Sequence, residues 1–123
     1  MNAKTFLKVG GLVLLLVGIL GFIGVIGPTP DNSIFGPAWW FDGGENWAHL
    51  LLGIVGFIGA FVLPKSIQRP LVMLLGLVGV VVGVYSIFRQ DFFGANLENP
   101  ADTILHIVVG LWALLASKKS NNM

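Results

Sequence analysis

The chain has 123 residues, 55% of them hydrophobic and only 11% charged, where a soluble domain usually carries about 25% charged residues. That deficit points to lipid as the main solvent. The absence of cysteine excludes disulfides, thiolate metal sites and cysteine nucleophiles, and the lack of a basic face away from the helix ends excludes a nucleic-acid interface.

Val9 to Ile26 is an uncharged apolar run of 18 residues, about 27 Å long as a helix and close to the hydrocarbon thickness of a bilayer. Lys4 and Lys8 precede it. The run is too long for the apolar part of a signal peptide, and Gly27-Pro-Thr-Pro30 follows it in place of a small-residue cleavage site. It is therefore expected to be a retained first transmembrane helix. Residues 27–42 form a Gly- and Pro-rich loop whose Phe35, Trp39, Trp40 and Phe41 suit the aromatic belt of a membrane interface.

A second helix is predicted from about Gly43 to Leu63. Pro64 and the basic segment Lys65 to Arg69 follow as a tight loop. Pro70 stands where a first helical residue is favoured, so the third helix is predicted from there to about Phe88. Residues 89–99 form a second polar loop, with Phe92 and Phe93 paired in it. A fourth helix runs from Pro100 to about Ser117, and a short polar tail begins with Lys118 and Lys119. Tyr85, the only tyrosine, is expected to pack within the third span.

Four spans put both termini on one side. Lys4, Lys8, Lys65, Arg69, Lys118 and Lys119 lie there, six of the seven bases. Arg89 lies opposite with all six acids: Asp31, Asp42, Glu45, Asp91, Glu98 and Asp102. The positive-inside rule then places the termini and the short middle loop in the cytoplasm, in a multi-pass protein of the inner (plasma) membrane.

An internal repeat organises the chain. Asp42-Gly-Gly-Glu45-Asn-Trp-Ala-His49-Leu-Leu-Leu-Gly53 returns as Asn99-Pro-Ala-Asp102-Thr-Ile-Leu-His106-Ile-Val-Val-Gly110. Each copy reads acid, three residues, His, three residues, Gly, and together they hold both histidines of the chain. Gly18-x-x-Gly21 in the first helix aligns with Gly76-x-x-Gly79 in the third. The expected architecture is thus an all-α membrane protein. One domain over residues 1–123 holds four transmembrane helices, built as two tandem two-helix hairpins. The repeat halves are about 5–63 and 64–119, related by an axis along the membrane normal.

The acids have a plain reading. Asp42 with Glu45, and Asn99 with Asp102, have the spacing of a capping box at a helix start. The functional alternative makes Glu45 and Asp102 ligands or proton acceptors one turn from a His. His49, Gly53, Gly56 and Ala60 share one helical face, as do His106, Gly110, Ala113 and Ser117. Small residues line helix contacts in lipid, so both rings should point inward. The leading reading is a structural polar tie, with each imidazole bonded to the acid one turn earlier or to a neighbouring helix. A second is a cofactor or metal site: His49 and His106 as axial haem ligands with glycines making room for the ring, or Glu45, His49, Asp102 and His106 around a divalent metal. A third is a proton or solute path. Catalytic signatures are absent: there is no HExxH, no Gly-x-Ser-x-Gly and no P-loop.

Leu15-Leu-Val-Gly-Ile-Leu-Gly-Phe-Ile23, Asn46-x-x-His49-Leu-Leu-Leu-Gly53 and Asn99-Pro-Ala-Asp102-x-x-x-His106-x-x-x-Gly110 together resemble a prokaryotic family of small four-helix membrane proteins, the domain-of-unknown-function family number 4383. The resemblance covers nearly the whole chain. It implies a four-helix topology and brings no established activity. Thr103 stands where the family pattern implies Asn. The function expected is a non-enzymatic membrane module or small subunit, with the bilayer and a membrane protein or a second copy of the chain as partners.

Overall fold

The computed structural model describes residues 2–92 and 94–118, so Phe93 and Lys119 of the expectations above lie outside the described residues. Among those described there are four α-helices: α1 (Ala3–Phe22), α2 (Gly43–Val62), α3 (Lys65–Phe88) and α4 (Ala101–Ser117). The first three are long and apolar enough to cross a membrane; α4 is a shorter apolar helix of 17 residues.

The ends follow from local chemistry. The Asn2 side chain caps α1 by accepting from Thr5 N at 2.9 Å, satisfying an orphan donor of the first turn. At its other end Gly24 takes φ +87°, and Val25 N reaches back to Leu20 O at 3.3 Å. This is a helix stop that needs the left-handed conformation. At the head of α2 the expected capping box is present: Glu45 N donates to Asp42 Oδ1 at 2.8 Å, and Glu45 Oε1 accepts from Asp42 N at 3.4 Å.

Two expectations about helix starts are corrected. Pro70 is not the first residue of α3 but lies inside it, because Pro64 takes the capping position and its carbonyl already receives Ile67 N and Gln68 N at 3.0 and 3.1 Å. At α4 no capping box forms with Asn99. Pro100 is the cap residue without a side-chain bond, and the Asp102 carboxylate takes Glu98 N, one residue further back, at 2.7 Å.

α1 packs antiparallel on α2, and α3 on α4, through glycines that bring backbones together. A Cβ on Gly53 would lie 2.6 Å from Leu15 N and 2.7 Å from Gly11 O; one on Gly110 would lie 2.7 Å from Val80 N and 2.8 Å from Gly76 O. Gly18 faces Asn46 O and Leu50 N, as Gly83 faces Thr103 O and Ile107 N. By these contacts Gly11 corresponds to Gly76 and Gly18 to Gly83, two helical turns from the alignment of Gly18 with Gly76. Gly56, placed on the same face as Gly53, makes ordinary contact only, at 3.8 Å from Gly11 Cα.

The two helix pairs meet mainly through α1. Their shared apolar core lies at the end that holds Lys4, Lys8 and Arg69, where Ala3, Phe6, Leu7, Ala60, Val72, Ala113 and Ala116 are buried together. Phe6 meets the Trp112 ring edge-on at 4.5 Å. Most of the remaining apolar surface points outward: Leu12, Leu16, Val55, Ile58, Leu74, Leu77, Val81, Val108 and Leu111 are all exposed. A monomeric soluble protein seldom shows apolar surface on this scale.

The loops at the acidic end are folded, which the sequence did not reveal. Residues 27–42 double back over the bundle, with Ile34 N on Val25 O at 2.9 Å and Phe41 N on Ile26 O at 2.8 Å. Phe41 is 1% exposed and so belongs to the interior, not to an interfacial belt. Residues 89–99 contain two short antiparallel strands, β1 (Asp91–Phe92) and β2 (Ala95–Asn96). Tyr85 serves this loop instead of packing in the span: its hydroxyl donates to Asp91 O at 2.7 Å, and its ring meets Phe92.

Candidate functional site

The repeat motifs bring their acids to one place, the end of the bundle under the two loops. Asp42, at the head of α2, also reaches the other helix pair: its Oδ2 accepts from Asn96 N in β2 at 2.7 Å. Asp102, on α4, is fully buried. Its Oδ1 accepts from the Trp39 indole N–H at 3.0 Å and its Oδ2 from Glu98 N at 2.7 Å. One carboxylate on each pair therefore pins the loop of the other, and Asp102 also holds its own. A buried carboxyl is tolerated where its oxygens accept hydrogen bonds, as both do here.

Glu98 sits in the loop beside them. Burial, followed by the nearby charges of Asp102 and Asp42, holds its carboxyl above the usual range, while a hydrogen bond from the Asn96 side chain pulls the other way.

The two histidines differ. His106 Nδ1 lies 2.8 Å from Asp102 O. A carbonyl only accepts, so Nδ1 carries the hydrogen, and Nε2 is the acceptor in the neutral ring. The tie goes to the backbone of the acid one turn earlier, not to its carboxylate. His49 packs edge-on against Phe41, ring centres 5.2 Å apart, and its buried Nδ1 has no hydrogen-bond partner. The expected bond between His49 and Glu45 is not made. Glu45 and Asn46 are almost wholly buried, and Glu45 Oε2 and Asn46 Oδ1 are also without partners. Glu45 lies within electrostatic reach of Asp102, and His49 of His106.

Among the described residues no three or more acids and histidines converge as a metal site requires. Glu45, His49, Asp102 and His106 thus gather at one end of the bundle without forming a preassembled metal cage. The glycines that were to make room for a haem ring are already in contact with helix backbone at Gly11, Gly18, Gly53, Gly76 and Gly110.

Several residues of this cluster have roles that their sequence positions did not reveal. Trp39, Asn96 and Glu98 act across the two loops. Asn46 fills the space beside Gly21, where a Cβ would meet its side chain, and its Nδ2 donates to Phe41 O at 3.3 Å. At the matching place in the other pair, Ser86 and Thr103 share a hydroxyl hydrogen bond of 2.5 Å. Ser86 and Thr103 together thus stand where Gly21 and Asn46 meet in the first pair. No protein-family model, curated protein or solved structure matches this chain.

Proposed function

We propose that this chain is a four-span, non-enzymatic membrane module of the inner (plasma) membrane, built as two tandem hairpins and acting as a small subunit or scaffold. The carrying observation is the apolar girdle with all the bases but Arg89 assigned to one end and the acids to the other. α4, at 17 residues, extends about 26 Å, the lower limit for a span. The resemblance to family 4383 supports the same four-helix topology. The acid cluster is then a structural clasp: Asp42 and Asp102 join the two loops and hold the hairpins in register. The termini and the Pro64 corner face the cytoplasm under the positive-inside rule. A reporter fused to the C-terminus is expected to be active in the cytoplasm, and one inserted near Asn32 on the outer side. Swapped activities overturn the orientation.

One observation favours a second reading, a proton or solute path. Glu45 Oε2, Asn46 Oδ1 and His49 Nδ1 are three unpartnered buried atoms within about one turn of a single helix. Polar groups without partners are costly at membrane depth and mark conduction routes. In vesicles carrying the purified protein and an internal pH dye, an imposed potential should then drive proton uptake that His49→Ala and Glu45→Gln abolish. Uptake equal to that of empty vesicles removes this reading.

A further inference from the structure

At the basic end of the bundle the surface between α3 and α4 opens into a concavity of about 450 Å³, lined by Lys65, Ser66, Arg69, Pro70, Met73 and Ser117. Its two charged lining residues are both cationic, and the acids of the chain belong to the opposite end. Arg69 is held in place: its Nε donates to Ser117 O at 2.9 Å and its Nη2 to Lys118 O at 3.3 Å. A guanidinium has five N–H donors in one plane, and these two bonds fix the direction of that plane. Carbonyls at the end of a helix also carry partial negative charge; by covering two of them, Arg69 reduces the repulsion an anion would meet there.

The other wall is apolar. Pro70 and Met73 continue along α3 into exposed Leu74 and Leu77, a strip of the lipid-facing girdle. A cationic mouth opening onto an apolar strip matches a molecule with a phosphate at one end and a hydrocarbon chain at the other. Basic recesses between helices at the cytoplasmic surface recognise anionic headgroups in this way.

We propose that this recess binds the phosphate of an anionic phospholipid, with Lys65 and Arg69 on the phosphate and an acyl chain along Met73 and Leu77. The proposal rests on the membrane reading above. It is tested on the full chain by thermal unfolding in micelles doped with phosphatidylcholine, with phosphatidylglycerol at the same mole fraction, or with soluble glycerol 3-phosphate. Phosphatidylglycerol is expected to raise Tm by several degrees over phosphatidylcholine, and glycerol 3-phosphate to leave it unchanged. Lys65→Gln should lose at least half of the phosphatidylglycerol shift with an unaltered Tm in phosphatidylcholine. Arg69→Lys, which keeps the charge and loses the planar fork, should lose part of it. Lys8→Gln removes a base at the same end, seated over the Phe61 ring outside the recess, and should keep the full shift. The site is overturned if Lys8→Gln and Lys65→Gln lose the shift equally, since that is general surface attraction, or if wild type shows no shift. An equal shift from glycerol 3-phosphate overturns the lipid as ligand. Failure of the membrane reading is distinct: the protein would then stay folded and monodisperse without any micelle.

Discussion

Gly53→Ala and Gly110→Ala should each destabilise the protein by about 1–3 kcal/mol, the range for overpacked interiors, while Gly56→Ala should be neutral or stabilising. The contrast is geometric. At Gly53 the added methyl lands 2.6 Å from Leu15 N, and at Gly110 it lands 2.7 Å from Val80 N. Both obstacles are backbone and cannot rotate away, so the helices must part, and the contacts on either side loosen with them. Alanine raises helix propensity by about 1 kcal/mol over glycine, which offsets part of this loss. At Gly56 the nearest atom is 3.8 Å away, so the propensity gain stands nearly alone. Unfolding of the three variants in one detergent checks the order; equal stabilities would sink the close-approach account.

Asp102→Ala is the second large effect expected. It strips the partner from the Trp39 indole N–H and from Glu98 N. A buried donor left unpaired costs about 1–3 kcal/mol. Trp39 is half-buried and regains some hydration, so the total should be about 2–3 kcal/mol. Asp102→Asn keeps one side-chain acceptor and should cost about half as much. Because Asp102 joins the first loop to α4, the alanine variant should also raise hydrogen exchange at residues 33–41, while the backbone of α2 stays protected. A loss confined to residues near position 102, with the first loop unchanged, would show that the Trp39 bond does not hold that loop. Asp42→Ala offers the reciprocal check, since its Oδ2 holds Asn96 N in β2.

The amino-acid sequence by itself determined the number and order of the helices and the bounds of two of them. The apolar runs are too long to be strands, and Asp42, Pro64 and Pro100 punctuate them, so α2 spans Gly43–Val62 and α4 spans Ala101–Ser117 within a residue of the reading, whereas α1 spans Ala3–Phe22 and not Val9–Ile26, because Gly24 stops it, and α3 begins at Lys65 and not at Pro70. The capping box at Asp42 and Glu45 was legible because it is local: four consecutive residues contain both partners. The segregation of bases from acids was equally plain, since antiparallel helices carry alternate loops to opposite ends.

Tertiary structure alone decided the rest, and for one reason: the information lies in pairs far apart in the chain. Glycines recurring every three to seven residues fit a partner helix in several registers two turns apart, so Gly18 matched Gly76 by pattern, whereas the carbonyl each one touches pairs Gly18 with Gly83. Pro70 looked like a helix start because proline suits that position, yet Pro64 had already begun α3. Asn99 had the spacing of a cap, but Asp102 took Glu98 N and Trp39 instead, bonds that exist only once the first loop folds over α4. The same fold left His106 tied to a backbone carbonyl and His49 Nδ1 without a partner. The two histidines, alike in their place within the repeat, thus ended in different surroundings: His49 lies against Phe41 of the loop above it, and nothing within the motif encodes that neighbour.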